Sequence, residues 1–339
     1  LIIMTLKNIY IFLVVGFFFL SCGNDPLNVD VSAVKIKYSF ENLDSVLYHA
    51  TDLELKELNK SGEKEFGEIF NYVTGYCLKI GNVSDTAFAN SINAYKEDQY
   101  IKKLENSIKK NFRNAKELNL EIEDGLKHLK FHFPKGKMPE KVVLINSLFN
   151  SSIFCTENEI GIGIERYLGG DNPVVQELNP MHYHEWIKNG MKREFASRDA
   201  ITGWVETHYV AETSINLADE IIRWGKIIYL TEAAFPDSPK HWIMRYTEKE
   251  LNWATENESA FWEYLVKEKL LFDKNERNSM NMLNPGPTTS GLPNEGSPDR
   301  LGQYLGWKMV KSYMEKNDVS LAEMVKLPYN VILQEYEID

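Results

Sequence analysis

The stretch that most restricts the fold runs from Asn216 to Phe235, N-L-A-D-E-I-I-R-W-G-K-I-I-Y-L-T-E-A-A-F. Leu217, Ile221, Ile222, Trp224, Ile228, Tyr229 and Leu230 cover most of a helical wheel, leaving Asp219, Arg223 and Lys226 as a narrow polar stripe. A helix that is apolar on nearly every side must be surrounded by protein, so this segment predicts a core helix. Gly225 in its middle costs about 1 kcal/mol relative to alanine, which a close approach by a second backbone would offset. The segment 299–316 offers that partner, because Gly302, Gly306, Met309 and Tyr313 fall on one face and make it smooth. The two helices are expected to be neighbours, with Trp224, Gly225, Gly302 and Gly306 in the structural core.

The remaining composition supports a folded body around that pair. Of 339 residues, 43% are hydrophobic and 12% aromatic, enough for a substantial core, and the charged fraction of 26% belongs to a globule rather than to a disordered or multi-span chain. The formal charge of −11 opposes a nucleic-acid partner, since phosphate binding requires a basic face.

The N-terminal region reads as an export signal. Lys7 gives a short cationic region, and Tyr10 to Leu20 is an apolar run too short to span a bilayer but suited to a secretory core. Phe19-Leu20-Ser21-Cys22 then resembles a bacterial lipobox, with Cys22 as the residue that would be diacylated and become the mature N-terminus. Two acyl chains anchor stably, at about 0.8 kcal/mol per buried methylene. The expected organisation is a signal peptide and lipobox over 1–22, a tether over 23–34 and a globular domain over 35–339. Of the other cysteines, Cys77 and Cys155, spacing alone does not say whether they pair or lie buried as free thiols.

Within the globule, a helical half is expected over about 35–135, with segments at 52–59, 66–73 and 85–105. A sheet with the core helices follows over about 136–339. Lys141 to Leu148, Ile153 to Thr156 and Glu159 to Glu165 are β-type runs of one small sheet. Gly161-Ile162-Gly163 lacks the third glycine of a dinucleotide loop and instead marks strand positions passed closely by another backbone. The fold class is therefore α+β and mostly α-helical, a helical bundle with a small β-sheet.

The histidines invite a metal reading. His184-Glu185-Trp186-Ile187-Lys188 begins like the zinc-protease H-E-x-x-H, but lysine replaces the second ligand. His182, Glu206 and His208 are fragments of the same kind. No metal or other cofactor is expected, because three ligands cannot be assembled from the spacing. Farther on, Thr247-Glu248-Lys249-Glu250 matches a capping box that opens a helical region to about Phe272. Lys274 to Gly296 is rich in Asn, Pro and Gly and reads as a long loop, which either covers a site or is simply flexible. Ser297-Pro298-Asp299 would cap the last long helix, and Leu321 to Tyr336 holds one or two short helices.

Several stretches together resemble the gliding-motility lipoprotein GldB family of the Bacteroidetes. They are I-G-I-G-I-E-R-Y-L-G from Ile160 to Gly169, A-D-E-I-I-R-W-G-K-I-I-Y-L from Ala218 to Leu230, Tyr246 to Trp253, Asn257 to Trp262, and G-S-P-D-R-L-G-Q-Y-L-G-W-K-M-V-K-S-Y-M from Gly296 to Met314. The layout is more remotely similar to predicted zinc proteases in which an H-E-x-x-H helix precedes a helix bearing a third, acidic ligand before a glycine. Here Trp224 precedes Gly225 at that place, so this second likeness implies a degenerate zincin-like scaffold whose metal site is lost and whose space an indole fills.

The resemblance implies a lipid-anchored, non-enzymatic accessory protein of the motility apparatus. It would face the periplasm from a membrane of the cell envelope and touch envelope proteins of that machinery. A rival from another class is an envelope metallohydrolase with an irregular site around His182, His184, Glu206 and His208. A third reading is a glycan- or peptide-binding module that uses aromatic residues near the 274–296 segment.

Overall fold

Four short strands make one sheet: β1 (Ser39–Asn42), β2 (Lys141–Ile145), β3 (Ile153–Cys155) and β4 (Glu159–Gly163), in the order β1-β2-β4-β3. β1 and β4 both run parallel to β2, pairing Ser39 with Lys141 and Lys141 with Glu159, and β3 runs antiparallel to β4. The computed structural model describes residues 25–112, 115–212, 214–289, 292 and 296–337. Cys22 and the leader lie outside them. β1 has no counterpart in the sequence reading, because S-F-E-N is too short and too polar to show a strand period and is defined only by its pairing.

Successive side chains of a strand point to opposite faces, and β2 divides its residues accordingly. Val142 and Leu144 join a large core with Ile160 and Ile162, whereas Val143 and Ile145 join a smaller one with Leu55, Ile69 and Phe88. Burial on both faces explains why β2 reads as an unbroken apolar run rather than an alternation. A Cβ on Gly163 would lie 2.1 Å from the carbonyl oxygen of Ser151, so only glycine lets that loop cross the strand end.

The smaller core is closed by helices Asp52–Phe66, Glu68–Asn71 and Asp85–Glu97, with a π-helical turn over Tyr72–Cys77. A reciprocal cap between Thr51 and Glu54 begins the first of these. The helix expected over 85–105 is two helices, because Asp98 accepts from the amides of Tyr100 and Ile101 and starts a new one, Gln99–Asn111. Leu118, Ile122, Leu126 and Leu129 of the helix Ala115–His132 enter the large core beside Trp204 and Val205 of the helix Ala196–His208. Cys77 and Cys155 are free thiols.

At the centre lie the helices Leu217–Ala234 and Leu301–Lys316. A Cβ on Gly306 would sit 1.9 Å from the carbonyl oxygen of Ile221, and one on Gly225 would sit 2.1 Å from that of Gly306. The two backbones are thus in direct contact, which no larger residue at either position permits. Gly302 faces a different neighbour, its absent Cβ falling 2.8 Å from Leu283 Cδ2.

The polar stripe is enclosed with the rest of the helix: Arg223 and Lys226 are buried, at 8% and 7% exposure. Arg223 reaches the carbonyl of Ala211 and the carboxylates of Glu206 and Glu220, and Lys226 donates to the carbonyls of Val325 and Leu327. Long stems let the charged heads find partners while the helix stays enclosed. Trp224 is half-buried at the core's rim, lining a shallow surface pocket with Lys274 and Met280. Its indole does not fill an interior space.

The segment read as a long loop contains the helix Glu276–Leu283, held by burial of Met282 and Leu283. Ser297 does not cap the last helix, whose N-cap is Arg300 in a left-handed conformation at φ 54°. Asp299 instead accepts from the amide of Gly286 and pairs with Arg300. Residues 25–34, expected as a tether outside the fold, pack onto it through Leu27 and Val31, which are 4% and 8% exposed. Asn28 also donates to Asp237 at 2.6 Å.

Candidate functional site

Of the residues singled out for metal chemistry, His182 and His184 are exposed, both before the short helix Glu185–Asn189, with His184 at its N-cap. Lys188, where a second zinc-ligating histidine would stand, is buried with its ammonium 3.3 Å from the carbonyl of Gln176. His208 stacks on Trp204 at 3.8 Å between centroids and bonds the carbonyl of Thr156 at 2.9 Å. Glu206 pairs with Arg223. Among the described residues no three His, Cys, Asp or Glu side chains are arranged to hold a metal ion.

The structure instead gathers arginines that are far apart in sequence. Arg198 and Asp199 open the helix Ala196–His208 and are both buried. The Asp199 carboxylate receives Arg198 at 3.0 Å, Arg245 at 3.1 Å and the Tyr167 hydroxyl at 2.9 Å. Arg198 also donates through Nε and Nη2 to the carbonyl of Ile243, which would otherwise end the short helix Lys240–Met244 unpaired. Burial lowers the Arg198 guanidinium to about 10, opposed by the charge of Asp199.

Arg245 and Arg300 both adopt the left-handed region, each at φ 54°. Non-glycine residues enter it at a cost of about 1–2 kcal/mol, and such strain concentrates where side chains are held for a purpose. Arg245 lies 4.6 Å over the Phe195 ring and donates to the carbonyl of Gly190. Arg300 lies 5.5 Å over the Tyr246 ring, whose hydroxyl is bound to the Asp299 carbonyl. Burial opposes the Arg300 charge, but Asp299 and Tyr246 more than offset it and hold the group above its ordinary value.

Arg245 and Arg300 border an open cleft of about 810 Å³. Arg166, Lys192, Arg245 and Arg300 line it against Asp171, Glu250 and Asp299, so the lining carries one formal positive charge in a chain of net charge −11. Helices Glu248–Glu256 and Leu301–Lys316 begin at its edge, adding the partial positive charge of their N-termini. Pro285, Gly286 and Pro287, from the segment read as a long loop, form part of the wall. Such a lining can hold an anion.

The cleft borders the carboxyl ends of the parallel strands, where α/β sheets commonly place ligands. Buried there are Asp44 just past β1, Ser147 just past β2 and Glu165 just past β4. Glu165 accepts from the amides of Ser147 and Phe149 at 3.0 and 2.9 Å and from the Ser147 hydroxyl. These bonds hold Leu148 and Phe149 at φ 52° and 63°. The Phe149 carbonyl receives Arg166 at 3.4 Å and the Tyr183 hydroxyl at 3.1 Å. Burial, then the neighbouring carboxylates Glu105 and Glu165, raise Asp44 well above the usual carboxylate range. Burial likewise raises Glu105 and Glu165.

This cleft is illegible in the sequence because Arg166, Arg245 and Arg300 share no spacing. The one available signal was indirect: Arg166 and Arg300 lie inside two of the glycine-containing stretches quoted above. No helix among the described residues is long and apolar enough to cross a membrane. No curated protein and no solved structure matches the chain. A family model described as gliding motility protein GldB matches residues 24–337, nearly the whole sequence. The chain therefore belongs to the GldB family of gliding motility proteins.

Proposed function

We propose that this protein is a lipid-anchored, non-catalytic accessory of the gliding-motility machinery, held at the cell envelope through an acylated Cys22 and facing the periplasm. The family match over residues 24–337 carries the reading. It begins two residues beyond Cys22, so the matched body is what would remain after processing at the lipobox. Leu27 is already part of the core. The five residues 22–26 can span at most ~18 Å, so an acylated Cys22 would hold the globule close against the bilayer.

The non-catalytic part of the reading is supported by how the polar groups are engaged. Asp199 ties two arginines and a tyrosine together, Glu250 closes a helix cap, and Asp299 bonds a backbone amide. Each is committed to the architecture rather than left facing a reacting atom. The partner class is another envelope protein of the motility machinery.

The test is metabolic labelling with a radioactive fatty acid, followed by membrane fractionation and a gliding assay. Wild-type protein is expected to carry label and sediment with membranes, whereas Cys22→Ser is expected to lose the label and fail to restore gliding to a deletion strain. Unlabelled wild-type protein, or full gliding without the protein, would overturn the proposal.

A further inference from the structure

We propose that the arginine-lined cleft binds the carboxylate of an extended peptide, with Arg166 as the gripping residue. The three arginines that line the cleft, and Arg198 linked to them through Asp199, differ in what they do. Arg198 donates three bonds within the protein, Arg245 is bound to Asp199 and Gly190, and Arg300 is paired with Asp299 and stacked on Tyr246. Arg166 has one long hydrogen bond, 3.4 Å to the Phe149 carbonyl, and its Nε is buried without a partner. A guanidinium carries five donors, and a buried donor left unpaired is costly. Arg166 therefore lines the cleft, 5.8 Å from the Tyr183 ring, with donors that the protein itself leaves unfilled.

The chemistry of that ligand follows from the rest of the wall. Three carboxylates share the lining with four cations, so one negative charge is balanced and a dianionic phosphate is opposed. A carboxylate matches the planar fork in a two-pronged geometry. The space of about 810 Å³ far exceeds what a lone carboxylate fills and lies within the usual range for ligand pockets. Trp186 and Ile187, both half-buried in the wall, offer apolar surface for side chains, and the exposed Asp171 supplies an acceptor for a main-chain amide. A short peptide segment satisfies all of these groups together.

This inference concerns the cleft and stands apart from the anchor at Cys22. The experiment uses the intact protein in detergent micelles and a fluorescein-labelled hexapeptide mixture with free C-termini, read by fluorescence anisotropy. Saturable binding is expected, weakened about 10- to 100-fold in Arg166→Gln, the effect of losing a charged hydrogen bond. Arg166→Lys should recover part of it, and both variants should melt within a degree or two of wild type. Loss of binding when the mixture is amidated assigns the site to a chain end. Retention by the amide, with loss once Asp and Glu are omitted, assigns it to an acidic side chain, and either result supports the proposal. No saturable binding, equal binding by Arg166→Gln, or displacement by inorganic phosphate at lower concentration than by acetate at matched ionic strength would overturn it. A Cys22→Ser protein that still binds the mixture but does not support gliding would separate this site from the anchoring function.

Discussion

Replacing Gly306 by alanine puts a methyl carbon 1.9 Å from the carbonyl oxygen of Ile221 and 3.0 Å from the amide nitrogen of Gly225. Ordinary contact begins near 3.4 Å. The obstructing atoms are backbone, so no rotamer change relieves them, and the helices Leu217–Ala234 and Leu301–Lys316 must part by more than about 1 Å. A gap of that size forfeits a quarter to a half of the dispersion energy across the contact. Overpacking in cores usually costs about 1–3 kcal/mol and sometimes more, while alanine's helix propensity returns about 1 kcal/mol. With rigid backbone on both sides, we expect a net loss of about 3–4 kcal/mol, a large part of a typical stability of about 5–15 kcal/mol. For a chain of this length that corresponds to a melting temperature lower by roughly 4–6 °C. Thermal unfolding followed by near-ultraviolet circular dichroism measures it. Gly75→Ala is the control, because a Cβ there meets nothing within 4 Å. If Gly306→Ala melts with the control, the direct backbone contact is not what the glycine is for. Gly225→Ala obstructs the same approach, so the double variant should lose less than the sum of the two.

Two further perturbations probe the buried polar groups. Asp44 holds its proton to a higher pH in the folded state than in the unfolded chain, so its contribution to stability is fully present below the ordinary carboxylate range and is lost as pH rises through the raised folded value. Asp44→Asn should therefore flatten the fall in urea midpoint between pH 5 and pH 8, leaving the share due to Glu105 and Glu165; parallel profiles for the two proteins would refute this. Lys226→Met removes the donor to the carbonyls of Val325 and Leu327, which should cost about 1–3 kcal/mol. Amide exchange should accelerate chiefly across 321–334, and a uniform acceleration would count against a local role for the lysine.

The elements legible in the sequence are those whose signal is local. The helix Leu217–Ala234 shows its apolar circumference within one window, and the Thr247 and Glu250 capping box is complete within four residues. β2, β3 and β4 each show a β-type run. β1 does not, since four residues with one large apolar side chain have no period, and β2 alone makes them a strand. Arg300 as a left-handed N-cap was illegible for a similar reason. Ser-Pro-Asp has the composition of a helix start, but the ion pair and the amide of Gly286 draw Asp299 away from that role.

By itself the sequence determined that two helices meet at glycines, that the fold is mostly helical around a small sheet, and that the chain resembles the GldB family. Periodicity, caps and the absence of side chains at Gly225 and Gly306 are properties of neighbouring residues and survive in one dimension. Tertiary structure alone decided which polar groups lie inside and where they converge. Arg166, Arg245 and Arg300 are spread over more than a hundred positions and meet only because the sheet ends, the helix starts and the 285–287 segment close on one cleft. A side chain's burial and charge partners depend on what packs over it, and that is set by the whole chain.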